Sequence, residues 1–506
     1  MKYERKEPQS AQRSLRQRSL CELRGLGGSI LIVVALQAVA LAHIGSPDVF
    51  LEGQAGPYRL LVTVRPPHAI PGVADVEVLT TSDDVRDVRI VPLPLTGAGA
   101  QFAPVADRAM RSTEDPRMFT GHLWLMSAGA WQVRVAVAGD RGSGTLSVPV
   151  PTLPQSTLGM TRGLRAMLFF LMMLLASGFV AIISAMAREA RLGAGEALDR
   201  RARVRGWIAG AVATVAVAGI IFLGNRWWTV EASSYDQYVY KPLDATSSVT
   251  ADGRLTLDLH DPGWIASRRL DDFVADHGHL MHLFIVSPSL DRLWHLHPDE
   301  IATGAFAQRL PDVPAGQYEL FADLVHATGV SETVTGTINT PAIHGTPLSG
   351  DDSAFSEAEG LAHRSSGSNE RSDGGKLVWV RDDKPLVTKR LTLFTFRVED
   401  ADGQPARDLE LYMGMPGHAI FVRRDRKVFA HVHPSGSAPM AAMEIAMPHK
   451  PAGPEPVEGG HAHHEMALPS TVTFPYGFPE SGEYRIFVQV KRAGRVVTGV
   501  FDAAVP

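Results

Sequence analysis

The sequence has a single cysteine, Cys21, among its 506 residues. One thiol excludes an internal disulfide framework, and it excludes zinc fingers and iron–sulfur clusters held by cysteine. Basic residues are not in excess either, since 49 Lys and Arg stand against 54 Asp and Glu, for a net charge of −5. This balance predicts no nucleic-acid partner. If the protein binds a metal ion, histidine, methionine or carboxylate side chains must hold it.

Common catalytic motifs are also missing, because the sequence contains no Gly-rich phosphate loop and no HExxH motif. Multicopper oxidases need a cysteine at their blue-copper site, and Cys21 precedes the first apolar run. We therefore predict a protein that is not an enzyme. A copper oxidase with histidine ligands alone is the alternative, since open three-histidine sites can be catalytic.

Three uncharged apolar runs predict a membrane protein. The first, at 27–45, follows a basic N-terminus and resembles either a signal anchor or a cleaved signal peptide. The runs at 166–186 and 207–224 are long enough to cross a bilayer, the alternative being buried core helices. The arginine-rich loop between them is cytoplasmic by the positive-inside rule. We expect a bacterial inner-membrane protein with 45–163 and 225–506 in the periplasm.

The exported regions have short alternating runs separated by Pro and Gly, which indicates β-sandwiches. We predict a mainly β protein, with three immunoglobulin-like β-sandwich domains outside the membrane and about three transmembrane helices. The predicted segments are a basic cytoplasmic N-terminus (1–28), a signal anchor or signal peptide (29–44), a β-sandwich (46–153), a transmembrane helix (164–187), a cytoplasmic loop (188–206), a transmembrane helix (207–224), a first His-rich β-sandwich (230–340), a Ser/Gly-rich linker (341–376) and a second His/Met-rich β-sandwich (377–506).

An internal repeat carries many of the 19 histidines. Each copy has one histidine before an apolar strand and a His-x-His-Pro motif whose histidines follow 13 and 15 residues later. These histidines are His282, His295 and His297 in the first repeat, and His418, His431 and His433 in the second. The alignment pairs His277 with Met413 and His279 with Met415. The shared spacing indicates a tandem duplication.

This spacing suits a metal site. Residues i and i+2 of a strand point to one face about 7 Å apart, so each His-x-His pair presents two imidazoles together. A hairpin return would bring the earlier histidine beside them. Imidazole suits copper and zinc, and thioether favours Cu(I), so we predict copper, with zinc as the alternative. The predicted ligands are His279, His282, His295, His297, Met413, Met415, His418, His431 and His433.

Purely structural roles for these histidines are the alternatives to this prediction. His282 and His418 could be hydrogen-bonded core residues, because buried polar groups are normally satisfied in this way. Each His-x-His-Pro motif could be a turn with solvated rings. An insert in the second repeat, between Met440 and Met466, is rich in His and Met, and its composition is typical of either a metal-scavenging segment or a flexible loop.

Two stretches resemble known families. The stretch HLMHLFIVSPSLDRLWHLHP, followed by LPDVPAGQYELFADL, resembles a recurrent bacterial exported His-x-His-Pro domain that often accompanies copper-handling genes. That resemblance implies a periplasmic β-sandwich with metal binding, and the second repeat departs from it by placing methionine at 413 and 415. The motifs GPYRL and GAWQV in 46–153 resemble the immunoglobulin-like FixH and YtkA domains.

We therefore predict a membrane-anchored periplasmic copper-binding protein for resistance, storage or delivery. Its predicted partners are metal ions, the inner membrane and a cuproenzyme or metal transporter. The alternative is a non-catalytic immunoglobulin-like scaffold that assembles a membrane complex.

Overall fold

A computed structural model describes residues 48–193, 195–264, 268–357, 368–370, 375–382, 384–447 and 468–506. The predicted N-terminus (1–28) and first apolar segment (29–44) lie outside these residues. Within them the chain is mainly β, which confirms the predicted fold class at that level.

The N-terminal module consists of two antiparallel sheets that share one hydrophobic core. One sheet has the order β1-β2-β3-β7-β6 and the other β5-β4-β8-β9. Alternation along the strands fills the core, as where Val133, Val135 and Val137 are buried on β8. The strands are β1 (Val49–Ala55), β2 (Tyr58–Arg65), β3 (Gly72–Thr80), β4 (Val85–Pro94), β5 (Asp107–Arg108), β6 (Met110–Arg111), β7 (Met118–Leu125), β8 (Gly129–Gly139) and β9 (Gly142–Thr152).

Two long apolar helices follow, α1 (Arg162–Glu189) and α2 (Arg200–Tyr235). Both are long and apolar enough to cross a membrane, and the side chains of α1 are not buried within the protein. The predicted cytoplasmic loop (188–206) is shorter in the structure, because Asp199 caps α2 by accepting a hydrogen bond from Ala202 N. Its arginines from 200 onward therefore lie in the first turns of α2.

The helices form a hairpin whose two outer ends meet. Ser184 Oγ donates to the Gly206 carbonyl at 2.9 Å, which holds α1 against α2 near the turn. Beyond the other end, Tyr240 N donates to Pro154 O at 2.7 Å. The segments before α1 and after α2 therefore emerge side by side.

The first repeat folds as one nine-stranded sheet with the order β14-β15-β11-β10-β17-β16-β12-β13-β18. A single parallel pair joins β10 to β17, and both halves of the sheet contribute to one core. The strands are β10 (Asp244–Val249), β11 (Arg254–His260), β12 (Met281–Val286), β13 (Arg292–Leu296), β14 (Asp299–Ala302), β15 (Ala305–Arg309), β16 (Gly316–Val325), β17 (Ser331–Thr340) and β18 (Ser353–Ser356).

The structure differs from the predicted linker (341–376), which contains β18. This strand pairs with β13 and buries Ser353, so the stretch belongs partly to the first sheet. The Ser, Gly and charged composition of 341–376 does not predict this strand, because β18 depends on pairing with β13 and on the packing of Phe355 against Phe487 of the second repeat.

The second repeat has two sheets, β19-β20-β21-β25 and β22-β26-β23-β24, with β27 paired to β26. A short helix, α3 (Met440–Ala446), occupies the start of the insert, and the remainder of the insert, 448–467, lies outside the described residues. The strands are β19 (Ser368–Glu370), β20 (Lys376–Val380), β21 (Thr392–Glu399), β22 (Leu409–Glu410), β23 (His418–Arg423), β24 (Phe429–Val432), β25 (Thr471–Tyr476), β26 (Gly482–Arg492) and β27 (Arg495–Val505).

The two repeats dock through equivalent strands, β12 and β23. All six residues of β12 are buried because both of its faces are covered. Leu283 and Ile285 enter the core of the first repeat, whereas Phe284 and Val286 join a cluster that also contains residues of the second repeat. His282 shares the face of Phe284, so docking directs this histidine toward the other repeat.

The N-terminal module also contacts the second repeat, through the loop after His433. Glu52 N donates to Ser435 O at 2.7 Å, and Ser437 N donates to Phe50 O at 2.9 Å. Gly436 lies between them with a φ of 126°, and a Cβ there would lie 1.9 Å from Phe50 O. The loop that follows His433 is thus tied to β1.

Replacing Gly436 with alanine should separate this loop from β1. We expect a loss of about 1–3 kcal/mol in the free energy of unfolding, because the backbone is strained and the contact with Phe50 cannot form. Gly494→Ala is the matched control, since Gly494 also has a positive φ of 73° but open space around it. Thermal unfolding of the full chain in detergent measures both. Equal midpoints for the two variants would contradict the role of this contact.

Candidate metal centre

The predicted hairpin forms in both repeats and brings its histidines together. In the first repeat β12 pairs with β13, and His282 Nδ1 lies 3.2 Å from His295 Nε2. In the second repeat β23 pairs with β24, and His418 Nδ1 lies 3.1 Å from His431 Nε2. The two copies of the repeat therefore have the same local geometry.

Eight histidines gather where the repeats meet. The first histidine cluster is His279, His282, His295 and His297, and the second histidine cluster is His277, His418, His431 and His433. The clusters adjoin, since the ring centroids of His282 and His431 are 5.4 Å apart and those of His295 and His431 are 5.6 Å apart. In each cluster three residues place a ring nitrogen within 4.8 Å of the others. One group of three is His282, His295 and His297, and the other is His277, His418 and His433.

His277 belongs to the first repeat by sequence but lies in the second cluster. Its ring centroid is 4.8 Å from that of His433 and 5.1 Å from that of His418. His277 aligns with Met413 in the sequence repeat and is not among the predicted ligands. The alignment alone could not identify it, because this contact exists only once the repeats have docked.

Hydrogen bonds in the first cluster assign the tautomers of its rings. His282 Nε2 lies 3.0 Å from the carbonyl oxygen of Asp276, which can only accept, so the proton of this ring is on Nε2. His295 Nδ1 lies 2.9 Å from Oε1 of Gln489, another acceptor. The two nitrogens that face each other, His282 Nδ1 and His295 Nε2, therefore both present lone pairs.

His297 adds a third lone pair to the first cluster. Its Nδ1 donates to Oδ1 of Asp352 at 3.0 Å, and Gln308 Nε2 donates to the other carboxylate oxygen. His297 Nε2 is buried without a hydrogen-bond partner in the described part of the chain. A carboxylate on the far nitrogen is the usual partner of a metal-ligating histidine, because it fixes the tautomer and raises ligand basicity.

The second cluster follows the same rule. His418 Nε2 lies 3.1 Å from the Tyr412 carbonyl oxygen, which leaves the lone pair of His418 Nδ1 directed at His431. Nε2 of His277 is buried with no hydrogen-bond partner among the described residues, and the buried imidazole of His433 approaches the backbone of Ala438. Unpaired buried nitrogens cost free energy unless a ligand uses them.

Electrostatics keep these rings neutral. Burial, reinforced by neighbouring imidazoles, lowers the pKa of His282, His295, His418 and His431 well below the ordinary range. Burial together with His277 lowers the pKa of His433 to about 3. A shared proton between His282 and His295 would require an imidazolium, which this environment disfavours. His282 and His418 each donate one hydrogen bond to a backbone carbonyl, as the core explanation expects, and each leaves its other nitrogen with a lone pair.

The central histidine of each repeat contacts the other repeat. His295 meets Gln489, and His431 Nδ1 lies 3.4 Å from Oδ2 of Asp323. Asp323 pairs with His282 across the sheet as Gln489 pairs with His418, so the contacts are exchanged around a local two-fold relation. Asp323 and Gln489 also occupy equivalent positions of the sequence repeat.

Met413 and Met415 occupy the turn that is equivalent to that of His277 and His279. Met413 has a φ of 52° and His277 a φ of 53°, each followed by a glycine with a positive φ. Both methionines are buried, yet neither belongs to the apolar core clusters of the described chain. Their role as donors stays a prediction.

The two clusters differ in access to solvent. A surface cavity of about 450 Å³ is lined by His279, His297, Asp351 and Asp352. His279 stacks on His297 with ring centroids 3.9 Å apart, and its side chain is 30% exposed. His418 and His433 are buried in the second cluster. The first cluster is thus the more accessible one.

The family that matches this sequence covers only part of the chain. Residues 370–506, which contain the second repeat, match a family described as a domain of unknown function (DUF8832). No curated protein matches. Among solved structures, the chain is similar to a tetra-tandem repeat in the extending region of a large adhesion protein, at 9% identity and a TM-score of 0.16, covering 87% of this chain and 71% of that one.

Two further structures are similar at the same low level. One is Salmonella alpha-2-macroglobulin reacted with methylamine, at 10% identity and a TM-score of 0.19, covering 91% of this chain and 23% of that one. The other is dimeric latent PorU from Porphyromonas gingivalis, at 8% identity and a TM-score of 0.14, covering 91% of this chain and 34% of that one. TM-scores this low support no statement about fold or function.

Proposed function

We propose that this chain is a membrane-anchored periplasmic copper-binding protein that stores copper or passes it to a cuproenzyme or transporter. One observation carries the proposal: buried imidazole lone pairs converge in each cluster while their other nitrogens are held by carbonyl, amide or carboxylate acceptors. That pattern of outer hydrogen bonds is typical of metal-ligating histidines. Neutral imidazoles suit copper and zinc, and the thioethers of Met413 and Met415, in the turn before β23, would favour Cu(I).

The wider architecture supports the same role. The helix hairpin would anchor the chain, with its arginine-rich turn in the cytoplasm and both β regions in the periplasm. The two-sheet N-terminal module is proposed as the FixH- or YtkA-like immunoglobulin domain. The proposed role is binding and transfer of the ion without catalysis, so oxidation of a reducing substrate by the copper-loaded chain would contradict it.

Metal titration of the full chain in detergent tests the proposal. The wild type should bind copper with a dissociation constant below about 1 μM, a free energy near −8 kcal/mol. The test variant replaces the repeat histidines with alanine: His282, His295, His297, His418, His431 and His433. The matched control instead replaces the histidines of the insert: His449, His461, His463 and His464.

We expect the test variant to lose tight binding and the control to keep it. Circular dichroism would show whether each variant retains its strand content. If the wild type binds neither copper nor zinc, the metal role fails and the scaffold explanation replaces it. If the test variant binds like the wild type, the clusters are not the site.

A further inference from the structure

The two clusters exchange ligands across the repeat boundary, and that exchange makes them chemically unlike. His277 comes from the first repeat and completes the second cluster, 5.1 Å from His418 between ring centroids. The local two-fold relation that exchanges the repeats must carry the equivalent residue of the second repeat to the first cluster. That residue is Met413.

The equivalence of the two turns is close in the backbone. Asp276 and His279 bridge the turn around His277, as Tyr412 and Met415 bridge the turn around Met413. The carbonyl oxygens of Asp276 and Tyr412 accept from His282 and His418 at 3.0 and 3.1 Å. A turn so matched directs its second residue in the same way in both repeats.

The surroundings of Met413 agree with that placement. Its side chain is only 7% exposed, so it has a buried environment, but it lies outside every apolar core cluster of the described chain. A buried thioether that is not packed in an apolar core is available to a soft metal ion.

We propose that the clusters form one binuclear copper centre with exchanged fourth ligands. The first site combines His282, His295 and His297 with the thioether of Met413, and the second site uses imidazole only, including His277. This inference rests on the proposed metal-binding function. Thioether favours Cu(I), so the first, more accessible site is the one that selects the reduced ion.

The two sites are near neighbours. A copper ion should lie about 2.0–2.1 Å from each imidazole nitrogen, as zinc does, so ions held by rings with centroids 5.4 Å apart lie within about 12 Å of each other. At that separation two Cu(II) ions interact magnetically, which provides a second readout.

The experiment uses the full chain in detergent with His449, His461, His463 and His464 replaced by alanine, so that the insert does not bind the probe. Cu(I) is titrated in competition with a chromogenic chelator, and X-ray absorption counts the sulfur ligands. We expect two Cu(I) ions per chain and a total of one sulfur ligand for the two ions. This count requires no change to either site, so it does not depend on whether a site variant folds.

Variants then assign the ligands. Met413→Leu should remove the sulfur signal and weaken one Cu(I) equivalent by about tenfold or more. His277→Ala should weaken the other equivalent and keep the sulfur signal. Met281→Leu is the matched control, because this buried methionine packs in the apolar core of the first repeat, and it should change neither. Met415→Leu tests the other predicted thioether donor and should keep the sulfur signal. In the Cu(II)-loaded chain, spin–spin coupling should be present and should disappear in His418→Ala, leaving an uncoupled signal.

The outcomes separate this inference from the proposed function. Absence of any copper binding overturns both. Tight binding of copper without sulfur ligation, loss of sulfur in Met415→Leu, or two Cu(II) ions without coupling overturns the binuclear centre and leaves the binding function standing.

Discussion

Phe429→Ala should lower the free energy of unfolding by about 3–5 kcal/mol, the usual cost of removing a buried phenyl ring. Phe429 is fully buried, stacks on Phe321 with centroids 4.3 Å apart, and contacts Phe284 at 5.1 Å. Both partners belong to the first repeat, so this ring belongs to the core between the repeats. The cavity left by the missing ring would weaken the docking of the two repeats as well as the packing of the core between them.

A matched control separates the two effects. Phe396 is equally buried, but its core lies within the second repeat together with residue Phe50 of the N-terminal module. Phe396→Ala should therefore destabilise the chain to a similar degree without loosening the contact between the repeats. Only Phe429→Ala should also weaken copper binding at the second cluster, because His277 must reach it from the first repeat. Thermal unfolding and copper titration of both variants measure this difference. The same loss of copper affinity in both would show that docking does not position His277.

Acidification below about pH 6.5 should destabilise the metal-free protein, because its buried imidazoles bind protons more readily in the unfolded chain. The unfolded pKa of histidine is about 6.5, and the folded pKa of His433 is held at about 3 by burial and His277. A depressed folded pKa means that the unfolded state binds the proton first, so stability is complete above about pH 6.5 and falls as the pH drops. This one residue can account for up to roughly 5 kcal/mol between pH 7 and pH 3.

Other groups modify this profile. Burial also depresses the pKa of His282, His295, His418 and His431, so each adds to the loss on acidification. Asp323 acts in the opposite direction, because burial raises the pKa of its carboxyl group to about 7. Its contribution to the stability of the folded state is present at low pH and is lost as the pH rises through that value. Thermal midpoints of the chelator-treated chain, measured from pH 8 to pH 4, test the profile. A midpoint that stays constant over the range from pH 7 to pH 5 would contradict neutral buried rings.

The hairpin of each repeat could be predicted from the sequence, because its elements are local. An apolar strand, a turn and a His-x-His motif predict that His282 shares one sheet face with His295 and His297, and the observed register, with Phe284 opposite His295, agrees. The equal spacing predicts the same arrangement in the second repeat, where Ile420 lies opposite His431.

The remainder depends on contacts between distant segments. His277 reaches the second cluster only through docking of the repeats, and strand periodicity contains no information on which sheets dock. Asp352 accepts a hydrogen bond from His297 and lies in a stretch whose composition predicts a linker. Composition cannot reveal this contact, since a single carboxylate needs no apolar surroundings to act as an acceptor. Asp323 and Gln489 occupy equivalent positions of the repeat, but that equivalence alone does not show that each contacts a histidine of the other repeat.

The ladder between β1 and the loop after His433 has a consequence for the order of folding. Phe50 N donates to Ser437 Oγ at 3.0 Å across 387 positions of sequence. Contacts of such long range close late, because the entropy of the intervening chain must be lost first. We expect His433 to reach its place only after the N-terminal module, the membrane hairpin and both repeats have assembled. Copper at the second cluster would then mark a completely assembled chain. Hydrogen exchange during refolding would test this, since residues 435–437 should gain protection after the strands of the repeats.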